Sequence, residues 1–360
     1  MKISFVHKIK NFSPKTYWKE ILAVVVILLA FVFFRSERKE LRAIGPQLAS
    51  SDPFWITIGV IITFVYVLLQ ALMYVESFRS IGIRLKLTDA VELFLKRNFL
   101  SVFLPAGGVS SLAYTPSQIR RKNFNSNQIF QASAIYAYVG LLTVFIIGVP
   151  VIIYSIYADK RFGSAFVSLV TLGIILTLTF WIYYSIRNKA ILFRLINKKF
   201  PTLLSQIQSA FGGSIDKRHL IKTILISTII EFCGIFHVFV SMYALHADHS
   251  FQAAAIGYTI SVVLMIISPF LRGLGAVEFS LLYILTSHGY QSAQALGITI
   301  LYRVFEFWLP LLLGLVSFVW RGRQLIARLV PAAGIFLLGF VNIISVATPP
   351  LAQRLKLEHL

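Results

Sequence analysis

Several charged residues of this chain lie within apolar stretches, and they are the candidates for binding or catalysis. Ionisable groups inside a membrane are costly, so each is a candidate functional residue. Arginine can bind a phosphate through two parallel hydrogen bonds, and a carboxylate can bind an ammonium group or a proton. Five such residues stand out: Glu231, Arg272, Glu278, Arg303 and Glu306. Together they favour a ligand that carries both an anionic and a cationic group.

Glu231 shares one helix face with small and polar residues. Ser227, Thr228 and Gly234 lie close to it at helical spacing, which places all four on the same side of a helix. This face must point to a cavity or to another helix. Glu231 therefore either makes a polar contact between helices or takes part in binding a substrate or a proton. His237 lies about 120° away around the same helix, and we expect it to pack rather than to function.

Arg303 and Glu306 are a second charged pair within one apolar stretch. Their spacing allows the two side chains to pair directly along a helix, and Thr299 and Pro310 continue the same face. Two interpretations follow. The pair either serves only to bury two charges, or it leaves Arg303 in contact with a lipid phosphate.

Two apolar stretches are interrupted by glycine and proline, and they resemble each other. Ser101–Tyr114 and Ser268–Tyr283 both begin Ser-x-Phe-Leu, break within a few residues, and resume with an apolar run that ends in tyrosine. Interrupted segments in the two halves of a membrane chain indicate a transporter's binding site and an inverted repeat. The alternative is that glycine and proline only allow close helix packing.

Irregular backbone inside a membrane is tolerated only where protein or a water-filled cavity surrounds it. A helix that restarts after such a break directs free N–H groups and its positive end into that cavity, which favours an anion. We therefore expect the two breaks to line one cavity together with the charged residues. The predicted substrate-binding residues are Pro105, Gly107, Gly108, Glu231, Arg272, Gly273, Gly275, Glu278, Arg303 and Glu306.

The composition predicts an all-α, polytopic membrane protein that could position these residues. Hydrophobic residues make up 57% of the chain and charged residues only 13%, against about 25% charged residues in soluble domains. The apolar runs along the chain indicate about eight membrane spans of about 20 residues each, plus one or two re-entrant or broken helices. The predicted spans are Ile21–Phe34, Phe54–Tyr74, Gln128–Tyr154, Gly163–Ile186, Leu220–Leu245, Phe251–Phe270, Ala293–Trp320 and Val330–Val346, with broken segments at Phe94–Tyr114 and Phe270–Tyr283.

Lysine and arginine predict the orientation. Positive charge marks cytoplasmic loops, so the N-terminus and the basic regions Arg79–Lys122 and Arg187–Lys222 are expected inside, and His246–Ser250 outside. The net charge of +20 then faces anionic lipids of the inner leaflet. Apolar residues at helical spacing in Arg187–Leu220 indicate helices that lie on that leaflet or pack on the protein.

The sequence gives no support for nucleic-acid binding, a disulfide framework or a metal site. No nucleic-acid-binding motif accompanies the positive charge, so a nucleic-acid partner is not expected. The single cysteine, Cys233, excludes a disulfide framework and a cysteine-based metal site. We expect no metal and no cofactor.

Three stretches resemble a known family. Phe103-Leu-Pro-Ala-Gly-Gly-Val109, Ser268-Pro-Phe-Leu-Arg-Gly-Leu-Gly-Ala-Val-Glu278 and Leu301-Tyr-Arg-x-x-Glu-x-Trp-x-Pro310 are similar to the membrane part of bacterial lysylphosphatidylglycerol synthetase/flippases, the multiple peptide resistance factors. This resemblance implies a flippase that carries an aminoacylated phospholipid from the inner to the outer leaflet of the cytoplasmic membrane. The more positive surface would then repel cationic antimicrobial peptides.

The resemblance also sets expectations about domains and partners. In bifunctional members, a cytosolic C-terminal domain transfers lysine or alanine from tRNA to phosphatidylglycerol. Residues 1–328 resemble the flippase domain, and residues 329–360 look like the start of a further membrane segment, with no soluble domain. We therefore expect no synthetase activity from this chain and expect a separate aminoacyl-lipid synthetase as a partner, and a homo-oligomer stays open.

Two other functions stay open at this level. One is an integral-membrane transferase acting on lipid, with Glu231 or Glu306 as general base. The sequence carries no nucleotide-binding loop, metal-ligand cluster or nucleophile triad for it. The other is an ion-coupled transporter of a soluble solute.

Overall fold

The computed structural model describes residues 49–104, 124–159, 215–267 and 275–319, with scattered positions at 46, 111–119 and 170–188. These residues form helices joined by short turns. The helices are α1 Pro53–Arg79, α2 Leu87–Phe103, α3 Ser126–Asp159, α4 Lys217–Ala244, α5 Phe251–Ile267, α6 Ala276–Ser287 and α7 Ser292–Arg303, followed by a π-helical segment Val304–Trp308 and α8 Leu309–Val319.

The fold confirms a multi-pass, all-helical membrane protein. Four stretches of the described chain are apolar and long enough to cross a bilayer, and they match four predicted spans. The helices α5 and α6 are shorter. The predicted spans Ile21–Phe34 and Val330–Val346 lie outside the described residues, as does most of Gly163–Ile186.

The helices α1 and α4 form an antiparallel pair at the centre. The backbone N–H of Asp52 donates to the carbonyl of Ala244 at 2.8 Å, and the N–H of Asp216 donates to the carbonyl of Ser80 at 2.8 Å. The start of each helix therefore lies beside the end of the other. Asp52 and Asp216 also cap their own helices, because each side chain accepts a backbone N–H of the first turn.

The helix α4 packs against α1, α3, α5 and α7, so it holds the bundle together. Glycines allow close approach at two of these contacts. A Cβ atom at Gly234 of α4 would overlap the ring of Tyr258 on α5, and one at Gly59 of α1 would overlap the ring of Phe305. Small residues of this kind are what helix packing in membranes requires.

Substitution of Gly234 by alanine is expected to destabilise the protein. The Tyr258 ring cannot easily move away, because its hydroxyl is hydrogen-bonded to Glu231 on α4. Overpacking of this kind costs about 1–3 kcal/mol, which should lower the melting temperature of the purified protein. The matched control is Gly140→Ala, where the nearest neighbour is the Cε of Met73 at 4.0 Å. A melting temperature unchanged in both variants would contradict the close packing of α4 on α5.

The predicted span Ala293–Trp320 is confirmed, but a π-helical segment interrupts it. In this segment the N–H of Leu309 donates to the carbonyl of Val304, one residue further back than in an α-helix. Pro310 follows directly and has no N–H, so it cannot extend the same pattern to the carbonyl of Phe305. Proline thus leaves a buried carbonyl available in the middle of the span.

The helix α2 lies within the basic region Arg79–Lys122. It begins at Leu87, seven residues before the predicted broken segment, and thirteen of its seventeen residues are buried, including Arg97. Gly314 of α8 lies against the backbone of Leu95 in α2, so α2 is part of the bundle. Lysine and arginine density predicts a side of the membrane but does not show which of these residues face inward to protein.

Candidate functional site

A small cavity lies where α5, α6, α7 and the π-helical segment meet. Its volume is about 10 Å³, which is the room that about one water molecule needs. Two charged residues predicted to bind substrate, Arg303 and Glu306, line it. The other lining residues are Ser261, Val262, Met265, Val277, Tyr302 and Phe307.

Arg303 pairs with Glu278 and not with Glu306. The Nε of Arg303 forms an ion pair with the Oε1 of Glu278, and its guanidinium lies 4.0 Å from the ring centroid of Phe307. The predicted pairing of Arg303 with Glu306 is therefore wrong. The π-helical segment begins directly after Arg303, and its wider turn directs Glu306 away from the arginine.

Gly275 is the one glycine of the predicted second break that the structure describes. This residue has a φ of 80°, a left-handed conformation that suits glycine, and α6 begins directly after it. Its N–H donates to the Oε2 of Glu278 at 2.7 Å. One carboxylate thus caps the restarted helix and neutralises Arg303, so the anion found at this helix start belongs to the protein itself.

Glu231 makes a contact between helices. Its Oε2 accepts a hydrogen bond from the Tyr258 hydroxyl at 3.0 Å, and its side chain is buried. Ser227 lies within 2.6 Å of the Thr143 hydroxyl on α3. The small polar face of α4 therefore points to two other helices, and Glu231 is also close enough to Glu306 for their charges to repel.

His237 is packed in the interior as predicted, and it also makes polar contacts that the sequence did not indicate. Its ring is fully buried and lies between two polar partners, with Nε2 3.2 Å from the Thr63 hydroxyl and Nδ1 3.3 Å from the Oε2 of Glu306. The position of His237 on the helix wheel of α4 could not indicate these contacts, because Glu306 comes from the π-helical segment, far away in sequence.

Arg97 is a further buried cation that sequence reasoning did not single out. Its guanidinium donates to the carbonyls of Leu112 and Tyr114 at 2.7 and 2.9 Å, and to the hydroxyls of Ser133 and Tyr74 at 2.8 and 3.3 Å. It therefore ties α2 to α1, to α3 and to the chain that follows the first break. The apolar neighbours of Arg97 were the available signal, but the surrounding basic residues obscured it.

The structure thus brings several predicted residues together. Arg303 and Glu306 share a cavity, Glu278 pairs with Arg303, Gly275 begins the helix that carries Glu278, and Glu231 lies close to Glu306. Within the described part of the chain, no group of three or more histidine, cysteine or acidic residues is arranged to hold a metal ion. Five predicted site residues lie outside the described residues: Pro105, Gly107, Gly108, Arg272 and Gly273.

Comparison with known proteins agrees with this architecture. The family model of the lysylphosphatidylglycerol synthase transmembrane region matches residues 21–314, which is well over half of the 360 residues. No curated protein matches the chain.

Proposed function

We propose, because the chain belongs to the lysylphosphatidylglycerol synthase transmembrane family, that it is a lipid flippase. Its substrate would be an aminoacylated phosphatidylglycerol, above all the lysyl form, carried from the inner to the outer leaflet of the bacterial cytoplasmic membrane. The cell surface would become more positive and would repel cationic antimicrobial peptides.

The observation that carries the proposal is the ion pair of the buried Arg303 with the partly exposed Glu278 beside the cavity. Arg303 is only 2% exposed, and Glu306 lines the same cavity. The lysyl headgroup has one phosphate and two ammonium groups. A guanidinium matches the phosphate, and carboxylates match the ammonium groups, so this site offers partners for both.

The headgroup would replace contacts that the protein makes with itself. A cavity with room for about one water molecule cannot hold a lysyl headgroup, so the helices around it must separate for transport. Breaking a buried ion pair is costly when one charge loses its partner. A headgroup with both charges gives Arg303 a phosphate and Glu278 an ammonium group, whereas a headgroup with only a phosphate leaves Glu278 without a cation.

The orientation and partners belong to the same proposal. The N-terminus and the basic regions would face the cytoplasm, where anionic lipids attract them. A separate aminoacyl-lipid synthetase would supply the substrate. Lysylphosphatidylglycerol carries a net charge of +1, so moving it outward against an inside-negative potential costs about 2.3 kcal/mol per 100 mV.

The test uses bacterial cells that lack a flippase of this kind and express a separate synthetase. We expect the chain to raise the share of lysylphosphatidylglycerol that a membrane-impermeant amine reagent can label, while the total amount stays constant. The control is the same cell with an empty vector. An equal labelled share with and without the chain would refute the proposal, and a raised total would favour an enzyme instead.

A further inference from the structure

The hydroxyl of Thr63 fixes the protonation of a buried histidine. It lies 3.0 Å from the carbonyl of Gly59, 3.1 Å from the carbonyl of Phe305 and 3.2 Å from the Nε2 of His237. A hydroxyl has one hydrogen to donate. Both carbonyls can only accept, and Nε2 accepts only in the tautomer that has no hydrogen there, so three groups compete for one hydrogen. If a carbonyl takes it, Thr63 accepts a hydrogen bond from His237.

The carbonyl of Phe305 is the acceptor that needs this hydrogen. The carbonyl of Gly59 belongs to the interior of α1, where helical hydrogen bonding already satisfies it. The N–H of Leu309 already donates to the carbonyl of Val304, and Pro310 has no N–H to donate to Phe305. A buried carbonyl without a donor is costly within a membrane, so the Thr63 hydroxyl serves Phe305.

His237 must therefore carry a hydrogen on Nε2, which leaves Nδ1 facing Glu306. A neutral histidine with a hydrogen on Nε2 has an acceptor at Nδ1, and two acceptors would then face each other across 3.3 Å. One proton between Nδ1 and the carboxylate resolves this conflict. It resides on Glu306 as a neutral acid or on His237 as an imidazolium.

The surroundings of this pair are polar and charged on several sides. The ring of His237 stacks on the ring of Phe305 and makes an edge contact with the ring of Tyr66. Glu306 also lines the cavity and is 13% exposed, so a water molecule in the cavity would contact its carboxylate. The titratable and charged groups near the pair are Tyr66 on α1, Glu231 and Cys233 on α4, Tyr258 on α5, and Tyr302 and Arg303 on α7. Glu278 on α6 is paired with Arg303.

We propose that His237 and Glu306 form a proton-binding site that exchanges its proton for an ammonium group of the lipid. This inference rests on the proposed function and adds a coupling ion to it. When an ammonium group reaches Glu306, the carboxylate pairs with it. The bond that holds the shared proton, N–H at Nδ1 of His237 or O–H at Glu306, breaks, and the proton passes to a water molecule in the cavity. Each positive charge that enters the site is balanced by one that leaves.

The first arm of the test looks at the proton without any lipid substrate. The full chain, labelled with ¹⁵N-histidine in lipid nanodiscs, is titrated by NMR, and His237→Gln assigns the His237 signals. We expect Nε2 to stay protonated throughout and Nδ1 to change with pH. In Glu306→Gln the side-chain amide can donate to Nδ1 permanently, so the pH dependence should disappear. A hydrogen on Nδ1 with a bare Nε2 would overturn the proposal.

The second arm measures coupling in vesicles that contain the full chain. The probe is lysylphosphatidylglycerol with a fluorescent acyl chain, and dithionite bleaches the outer leaflet only. Exchange of one proton for one lipid conserves charge, so a gradient of one pH unit should enrich the probe up to about tenfold in the leaflet facing the acidic side. His237→Gln should abolish this enrichment, whereas His249→Gln, an exposed histidine, should retain it.

The outcomes separate the two proposals. Movement of the probe by the wild-type protein without enrichment under either gradient would overturn proton exchange and leave the flippase intact. No movement of the probe would overturn both. Enrichment by the wild-type protein that His249→Gln retains and His237→Gln loses would support both.

Discussion

Replacement of Arg303 by lysine is expected to lower the outer-leaflet share of lysylphosphatidylglycerol by about tenfold or more. Arg303 is buried, paired with Glu278 and placed at the cavity wall. Lysine keeps the charge but cannot reproduce the planar fork that binds a phosphate at two points. A hydrogen bond to a charged group is worth about 1.5–3 kcal/mol, and each 1.4 kcal/mol is about a factor of ten.

The measurement is labelling by an impermeant amine reagent in cells that express a synthetase, normalised to the amount of protein in the membrane. Arg218→Lys is the matched control, because Arg218 is exposed at the start of α4 and should tolerate the change. The double variant Arg303→Gln with Glu278→Gln removes both charges together, which a fold survives better than the loss of one. Wild-type transport by Arg303→Lys, or by the double variant, would remove the pair from the substrate site.

Replacement of Glu231 by glutamine is expected to reduce transport of the lysyl lipid about tenfold, and to affect plain phosphatidylglycerol far less. Glu231 lies within electrostatic range of Glu306, which lines the cavity, so a cation held by Glu306 also attracts a carboxylate at position 231. Removing one charge weakens that attraction by an amount comparable to a charged hydrogen bond, about 1.5–3 kcal/mol. Glutamine still accepts the hydrogen bond from Tyr258, so the contact between α4 and α5 remains.

The measurement compares both lipids with the same fluorescent acyl chain in vesicles that contain the purified protein. Tyr258→Phe is the control, because it removes the hydroxyl that Glu231 accepts and leaves the carboxylate charge in place. We expect this control to keep its preference for the lysyl lipid. An equal loss of transport for both lipids in Glu231→Gln would mean that Glu231 only holds two helices together.

The two sets of variants also test the ligand in a complementary way. Arg303 is proposed to bind the phosphate, which both lipids share, so Arg303→Lys should reduce the transport of both lipids. Glu231 addresses the ammonium groups, which only the lysyl lipid carries. A protein that moves any anionic phospholipid would lose transport with Arg303→Lys and keep it with Glu231→Gln.

The sequence by itself determined the class of fold and much of the candidate site. Apolar length and the position of glycine and proline are local properties of a chain, so Phe54–Tyr74, Gln128–Tyr154 and Leu220–Leu245 could be identified without a structure. The same pattern predicted a helix start near Gly275, and α6 begins directly after it. Charged residues within apolar runs are conspicuous because burial is costly, which identified Arg303 and the three glutamates.

Only the tertiary structure decided which partner each charge has. The rotation of a helix about its axis depends on the helices packed against it, and these come from distant parts of the chain. Arg303 therefore meets Glu278 rather than Glu306, because the π-helical segment before Pro310 turns Glu306 toward His237. Arg97 is buried for the same reason, since α3 and the chain after the first break enclose it. The sequence placed charges in the membrane, and packing joined them into pairs.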